Sequence, residues 1–170
     1  ITTRDFINSS SYVYDYHTHG TSVLSILAGA MPGIINGTAP GAKYMLLRTE
    51  DVLSEFPVEE DYWIAAAEYA DSAGADIITS SLGYFEFDDP SMDYPFSDMD
   101  GDRPFITRGA DMASSKGILV VNSAGNERNK AWLRIIAPSD GDSVLCVGAV
   151  NHYLTISDFS SAGYSSDGRV

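Results

Sequence analysis

The chain has 170 residues, 44% hydrophobic and 11% aromatic, enough apolar material for one ordinary folded domain and too much for a disordered segment. Its 24 acidic and 10 basic residues give a formal net charge of -14, which argues against nucleic acid or an anionic membrane surface as a partner because like charge repels phosphate. No stretch approaches the roughly 18 consecutive apolar residues of a membrane span, and a cationic or peptidic ligand stays open.

In chain order, residues 1–16 are polar and aromatic and read as surface loop or an irregular entry segment. His17-Thr18-His19-Gly20-Thr21 then runs into an apolar pattern at 23, 24, 27, 28 and 31, a helical spacing. The pattern predicts a helix that starts near His19, buries one face and stops between Gly29 and Gly33, where Pro32 also punctuates. Such a helix would hold His19 rigidly at a cleft edge. Asn36 to Gly41 is turn material, with an Asn-x-Ser/Thr acceptor pattern at Asn36. Lys43 to Thr49 is a short apolar run suited to a strand covered on both faces. After an acidic loop, a helix is expected from Tyr62 to Ala73, with Trp63, Ala66, Ala67 and Ala70 on one side and Gly74 as C-cap. Glu59-Glu60-Asp61 places negative charge at its N-terminus, where the dipole favours it.

Asp76 to Gly83 reads as a strand and its exit. The stretch from about 85 to 103 is rich in Asp, Pro, Met and aromatics without a period, and reads as an inserted, solvated acidic loop. A helix follows from Pro104 to about Ser115, closed by Gly117. Ile118 to Val121 is a strand leading into Asn122-Ser123-Ala124-Gly125-Asn126-Glu127. Ser143 to Val150 is another, carrying the lone Cys146, read as a buried small hydrophobe; 156–159 would add a short strand. This alternation predicts βαβ units, hence a three-layer α/β fold with a mainly parallel sheet. Ligands of such sheets bind beyond the carboxyl ends of the strands, where Ser81-Leu82-Gly83 and Gly125-Asn126 fall.

Two chemistries compete for that crevice. His17-x-His19 resembles half of a zinc site, but a catalytic zinc needs at least three clustered protein ligands and nothing brings His152 to the pair, so no metal is assigned. A nucleophilic hydrolase needs an imidazole base, a carboxylate, a hydroxyl and an oxyanion hole. His19 can be the base. The Asn126 amide, on a glycine-enabled turn after a buried strand, can face a developing alkoxide.

The motifs themselves resemble those of the subtilisin-like serine peptidases. His19-Gly20-Thr21-Ser22-Val23-Leu24-Ser25 is similar to the family's His-Gly-Thr-His-Val-Ala-Gly, with Ser22 at the second histidine. Gly37-Thr38-Ala39-Pro40-Gly41-Ala42 is like Gly-Val-Ala-Pro-x-Ala, and Thr79-Ser80-Ser81-Leu82-Gly83 like Asn-x-Ser-Leu-Gly, with Thr79 at the asparagine. Ser123-Ala124-Gly125-Asn126 matches Ala-Ala-Gly-Asn, and Phe159-Ser160-Ser161-Ala162-Gly163 followed by Asp167-Gly168-Arg169-Val170 is like Phe-Ser-x-x-Gly and the approach to Lys-Pro-Asp. The five matches stand in family order across essentially the whole chain. The resemblance implies a subtilisin-like α/β fold, incomplete over 1–170, with His19 as general base and Asn126 as oxyanion donor. Ser81, Leu82 and Gly83 with Ala124 and Gly125 would wall the primary specificity pocket, and His17 would serve no catalytic role.

What the family pattern requires beyond these is missing. Its catalytic Asp stands in an Asp-Ser/Thr-Gly turn, whereas only Asp5 and Asp15 precede His19 and neither lies in one. Its nucleophile belongs to Gly-Thr-Ser-x-Ala-x-Pro, and Ser160 and Ser161 fall in another family segment. Residues 1–170 are therefore expected to be the central portion of a larger serine endopeptidase, inactive alone; the alternative is a non-catalytic relative that binds peptide or a partner. Expected partners are a peptide or protein substrate and the remainder of the parent chain, with self-association of the segment through exposed sheet edges. No cofactor is implied; calcium, which the family often binds, is not placed. By family analogy the compartment is secreted, periplasmic or cell-surface. Small Ser123, Ala124 and Gly125 leave room for a large apolar side chain in the pocket.

Overall fold

A strand opens the chain where only loop was expected: in the computed structural model, which describes residues 1–169, Thr2–Asp5 form β1. It runs parallel to β4 (Met45–Arg48), with Thr2 opposite Met45 and Asp5 opposite Arg48. The strand is four polar residues long and has no hydrophobic period; pairing and charge hold it in place. Arg48 Nη1 meets Asp5 Oδ2 at 3.0 Å, and the same carboxylate accepts from the Ile7 amide at 2.9 Å and from the Asn8 amide and Nδ2 at 3.1 Å. Burial raises the Asp5 pKa, but these donors outweigh it and hold the carboxyl below its ordinary range.

Between these strands lie α1 (His19–Ala28) and a hairpin of β2 (Ala30–Met31) and β3 (Ile35–Asn36). The helix begins and ends as its spacing predicts. Its apolar face is a different matter: none of its residues is fully buried, Val23, Leu24 and Leu27 are half-buried and Ile26 is exposed. Its partner β3 is two residues long, too small to cover a three-turn helix. Ile1–Leu53 form one compact unit, and the chain from Ser54 onward forms a second.

The second unit is built on a parallel sheet in the order β5 (Ile77–Ser80), β6 (Leu119–Ser123), β7 (Val144–Val147), with Ile77 opposite Leu119 and Val121 opposite Leu145. α2 (Val58–Ser72) packs on α3 (Phe105–Ser115), which packs on β6. Trp63, Ala67, Ile106, Ala110, Ala113, Ile118 and Val120 form the core between them. α2 starts before Tyr62 because Glu59, Glu60 and Asp61 supply its first turn. Both helices end in a Schellman motif: Ala75 N donates to Ala70 O at 3.0 Å beyond Gly74, and Ile118 N to Ala113 O at 3.4 Å beyond Gly117.

Two expectations change here. Cys146, read as buried, is exposed on β7, the outer strand of the three. Residues 156–159 form no strand; only a Val150–Ile156 bridge marks them. The 85–103 stretch turns Glu86, Asp88 and Asp89 to solvent but also places Phe87 and Met99 in the core, with Phe85, Tyr94 and Phe96 packed beside them. Its aspartates serve as turn caps: Asp93 accepts from Phe87 N at 2.8 Å and Asp100 from Asp102 N and Arg103 N. Val170, quoted in the last motif, lies outside the described residues.

Candidate active site

The exits of β5 and β6 lie side by side, since Ser80 stands opposite Asn122 in the ladder. A buried asparagine ties them together. Asn122, 1% exposed, accepts through Oδ1 from the Ser80 hydroxyl. Its Nδ2 lies 3.1 Å from Leu82 O, 3.0 Å from Ser123 O and 3.1 Å from Ser139 Oγ, and the Ser139 hydroxyl in turn donates to Ser123 O at 2.7 Å. One side chain thus bridges the backbone of Ser81-Leu82-Gly83 to that of Ser123-Ala124-Gly125. Asn122 and Ser139 were not among the expected site residues, although an amide ending the apolar run Ile118 to Val121 is a signal: buried polar groups must be paired.

Beyond Ser123 the chain turns sharply. Gly125 has φ +101°, a conformation open to glycine and strained for other residues. The Gly125 amide lies 3.2 Å from Ser123 Oγ, and Gly125 O accepts from Ser161 N at 2.9 Å. Ala124 and Gly125 are buried, while Asn126, immediately after the turn, is exposed. A rigid turn that ends in an exposed amide is suited to stabilising negative charge on a ligand.

These features match a known family. The profile of the subtilase family, Peptidase S8, matches residues 3–170. The chain belongs to the subtilase family. Subtilisin E of Bacillus subtilis (strain 168) is 31% identical over 165 residues, 95% of this chain and 39% of its own length. The thermophilic serine proteinase of Bacillus sp. (strain AK1) is 28% identical over 162 residues, 94% of this chain and 35% of its length. This subtilase chain therefore spans about a third to a half of the curated relatives it matches. Among solved structures, the prenylagaramide maturation protease PagA aligns with TM-score 0.65 at 23% identity, covering 85% of this chain and 47% of its own. The nisin leader peptidase NisP of Lactococcus lactis aligns with TM-score 0.64 at 20% identity, covering 97% and 55%. Both likenesses show the subtilisin-like α/β fold.

The histidine motif of this subtilase lies in the first compact unit. His19 is the exposed first residue of α1, and its backbone amide donates to His17 Nδ1 at 3.2 Å. His17 thereby satisfies one of the amides left unpaired at the helix N-terminus and fixes the loop that leads into His19. With Nδ1 so engaged, His17 has one ring nitrogen left for a ligand. Of the two carboxylates before His19, Asp5 is buried on Arg48, and Asp15, at φ +67°, accepts from the Tyr12 hydroxyl at 2.6 Å.

Ser160 and Ser161 are structural in this subtilase. Ser160 Oγ accepts from Ala149 N at 2.9 Å and Ser161 Oγ from Glu127 N at 3.0 Å, and both residues are buried. They stitch the segment after β7 to the Asn126 turn.

Proposed function

We propose that the full-length protein hydrolyses internal peptide bonds as a serine endopeptidase, with His19 as general base and Asn126 as oxyanion donor. The nucleophilic serine and the carboxylate that orients His19 lie outside residues 1–170. His19 takes the serine proton as the hydroxyl attacks the scissile carbonyl, then gives it to the departing amine; water repeats the sequence on the acyl-enzyme. Asn126 stabilises each tetrahedral oxyanion. Substrate backbone lies along Ser81-Leu82-Gly83, and the residue before the scissile bond points between this segment and Ala124-Gly125. The observation that carries the reading is the Gly125 turn, which presents an exposed Asn126 beyond a strand exit locked to its neighbour by Asn122. Relatives named as serine proteinases and peptide-maturation proteases support a peptide substrate, and the acidic surface favours basic residues elsewhere in it. Family analogy supports a secreted, periplasmic or cell-surface location; among the described residues no helix is long and apolar enough to cross a membrane.

A fluorophosphonate reagent tests this directly. The full-length protein should be labelled, and His19→Ala should abolish both labelling and turnover. Asn126→Ala should lower kcat by about 10²- to 10³-fold with little change in KM. Absence of labelling with retained peptide affinity would show a non-catalytic peptide-binding relative instead.

A further inference from the structure

Gly83 and Gly125, on opposite walls of the site, face the same side chain. A Cβ added to Gly83 would lie 2.6 Å from both Cγ1 and Cδ1 of Ile136, and one added to Gly125 would lie 3.0 Å from the same two carbons. Ile136 is 7% exposed and fills the slot between the β5 and β6 exits. Its backbone is pinned from several sides. Next to it, Ala137 pairs with Tyr84 through hydrogen bonds of 2.9 and 3.3 Å, and Ser139 N donates to Ile136 O at 2.8 Å. Trp132 Nε1 donates to Ile135 O at 3.0 Å while its ring packs on Phe85 at 4.3 Å between centroids. A β-branched side chain on a backbone held this way has few rotamers to escape into. Ser161 Oγ closes the far side, 2.8 Å from the same Gly125 Cβ position.

We infer that Ile136 determines specificity at the primary pocket, restricting the residue before the scissile bond to a small side chain, glycine, alanine or serine. This rests on the proposed proteolytic site and reverses the roomy pocket that Ser123, Ala124 and Gly125 suggest by themselves. Their small side chains do not leave a void. They make space that Ile136 occupies, and a phenylalanine or leucine of the substrate could enter only by displacing it.

The test uses the full-length protein and peptide anilides that differ only in carrying Ala or Phe before the scissile bond. Wild type should prefer Ala by at least about 10-fold in kcat/KM. Ile136→Ala should shift the ratio toward Phe by about 10- to 100-fold, chiefly through KM for the Phe substrate. Ile136→Val, which removes one methyl and disturbs packing least, should move it the same way by less. Wild type cleaving Phe as readily as Ala overturns the inference, as does an unchanged ratio in both variants. Affinities of the matching product peptides, ending in Ala or Phe, are measured in parallel. If neither hydrolysis nor fluorophosphonate labelling occurs, proteolysis fails as the function and the pocket is judged on these affinities alone. Equal affinity for the two peptides, or none for either, overturns it there.

Discussion

Replacing Glu60 by Gln should remove a pH dependence of stability that the fold builds in around one carboxyl. Glu60 lies in the first turn of α2, 1% exposed. Its Oε2 accepts from the Tyr94 hydroxyl at 2.9 Å, while Oε1 has no hydrogen-bond partner among the described residues. Burial pushes its pKa from the ordinary 4.5 to about 7; the Tyr94 hydroxyl and Arg108 offset part of this, and Asp61 adds to it. The unfolded chain releases this proton near 4.5 and the folded chain near 7. The stabilisation is therefore complete below 4.5, falls as pH rises through that interval and is gone above the folded value. At about 1.4 kcal/mol for each tenfold change in proton activity, the loss is at most on the order of 3 kcal/mol. Urea unfolding of the full-length protein at pH 4.5, 6 and 8, followed by tryptophan fluorescence, measures it, because Trp63 belongs to the core that α2 completes. Wild type should lose stability across the series and Glu60→Gln should lose distinctly less. Parallel profiles for the two proteins would refute the reasoning.

Arg48→Met should destabilise the first unit by about 3 kcal/mol, read by native-state hydrogen exchange at the amides of β1 and β4, because it leaves the Asp5 carboxylate buried without its cation; adding Asp5→Asn should recover part of the loss. Gly117→Ala should cost about 1 kcal/mol, since φ +97° at the α3 terminus is strained for any side chain, although a Cβ there meets nothing. Asp167 is held at about 2 by Arg169 and Ser165, and the same turn donates Ser166 N to Met99 O at 2.7 Å. Protection of the Ser166 amide, taken as its exchange rate relative to the intrinsic rate at each pH, should therefore hold as pH falls through the ordinary 3.8 and weaken only near 2; loss of protection near 3.8 would contradict this.

Much of the architecture was legible in the chain itself. The 3.6-residue period after His19, the glycines closing α2 and α3 and the apolar runs of β4 to β7 act through local geometry, and each element appears close to where its residues predict. β1 was illegible because a polar four-residue strand carries no period; its stability comes from Arg48, 43 positions away. The 85–103 stretch was half legible. Its charge marked a surface, but nothing local shows that Phe87 and Met99 turn inward, since burial of an aperiodic segment is decided by what it packs against.

The candidate site divides the same way. His19, Asn126 and the Ser81–Gly83 segment carry motif signals because the chemistry proposed for them needs particular residue types at particular places. Asn122 carries only the general signal of a polar residue ending an apolar run and Ile136 carries none, yet Asn122 holds the two strand exits together and Ile136 fills the space between them. The sequence by itself determined the family, the α/β order of elements and the candidates for the catalytic groups. Only the tertiary structure decided how much room lies between Gly83 and Gly125, because that space is set by the side chain of Ile136, which belongs to neither motif and is brought there by the Tyr84–Ala137 pairing.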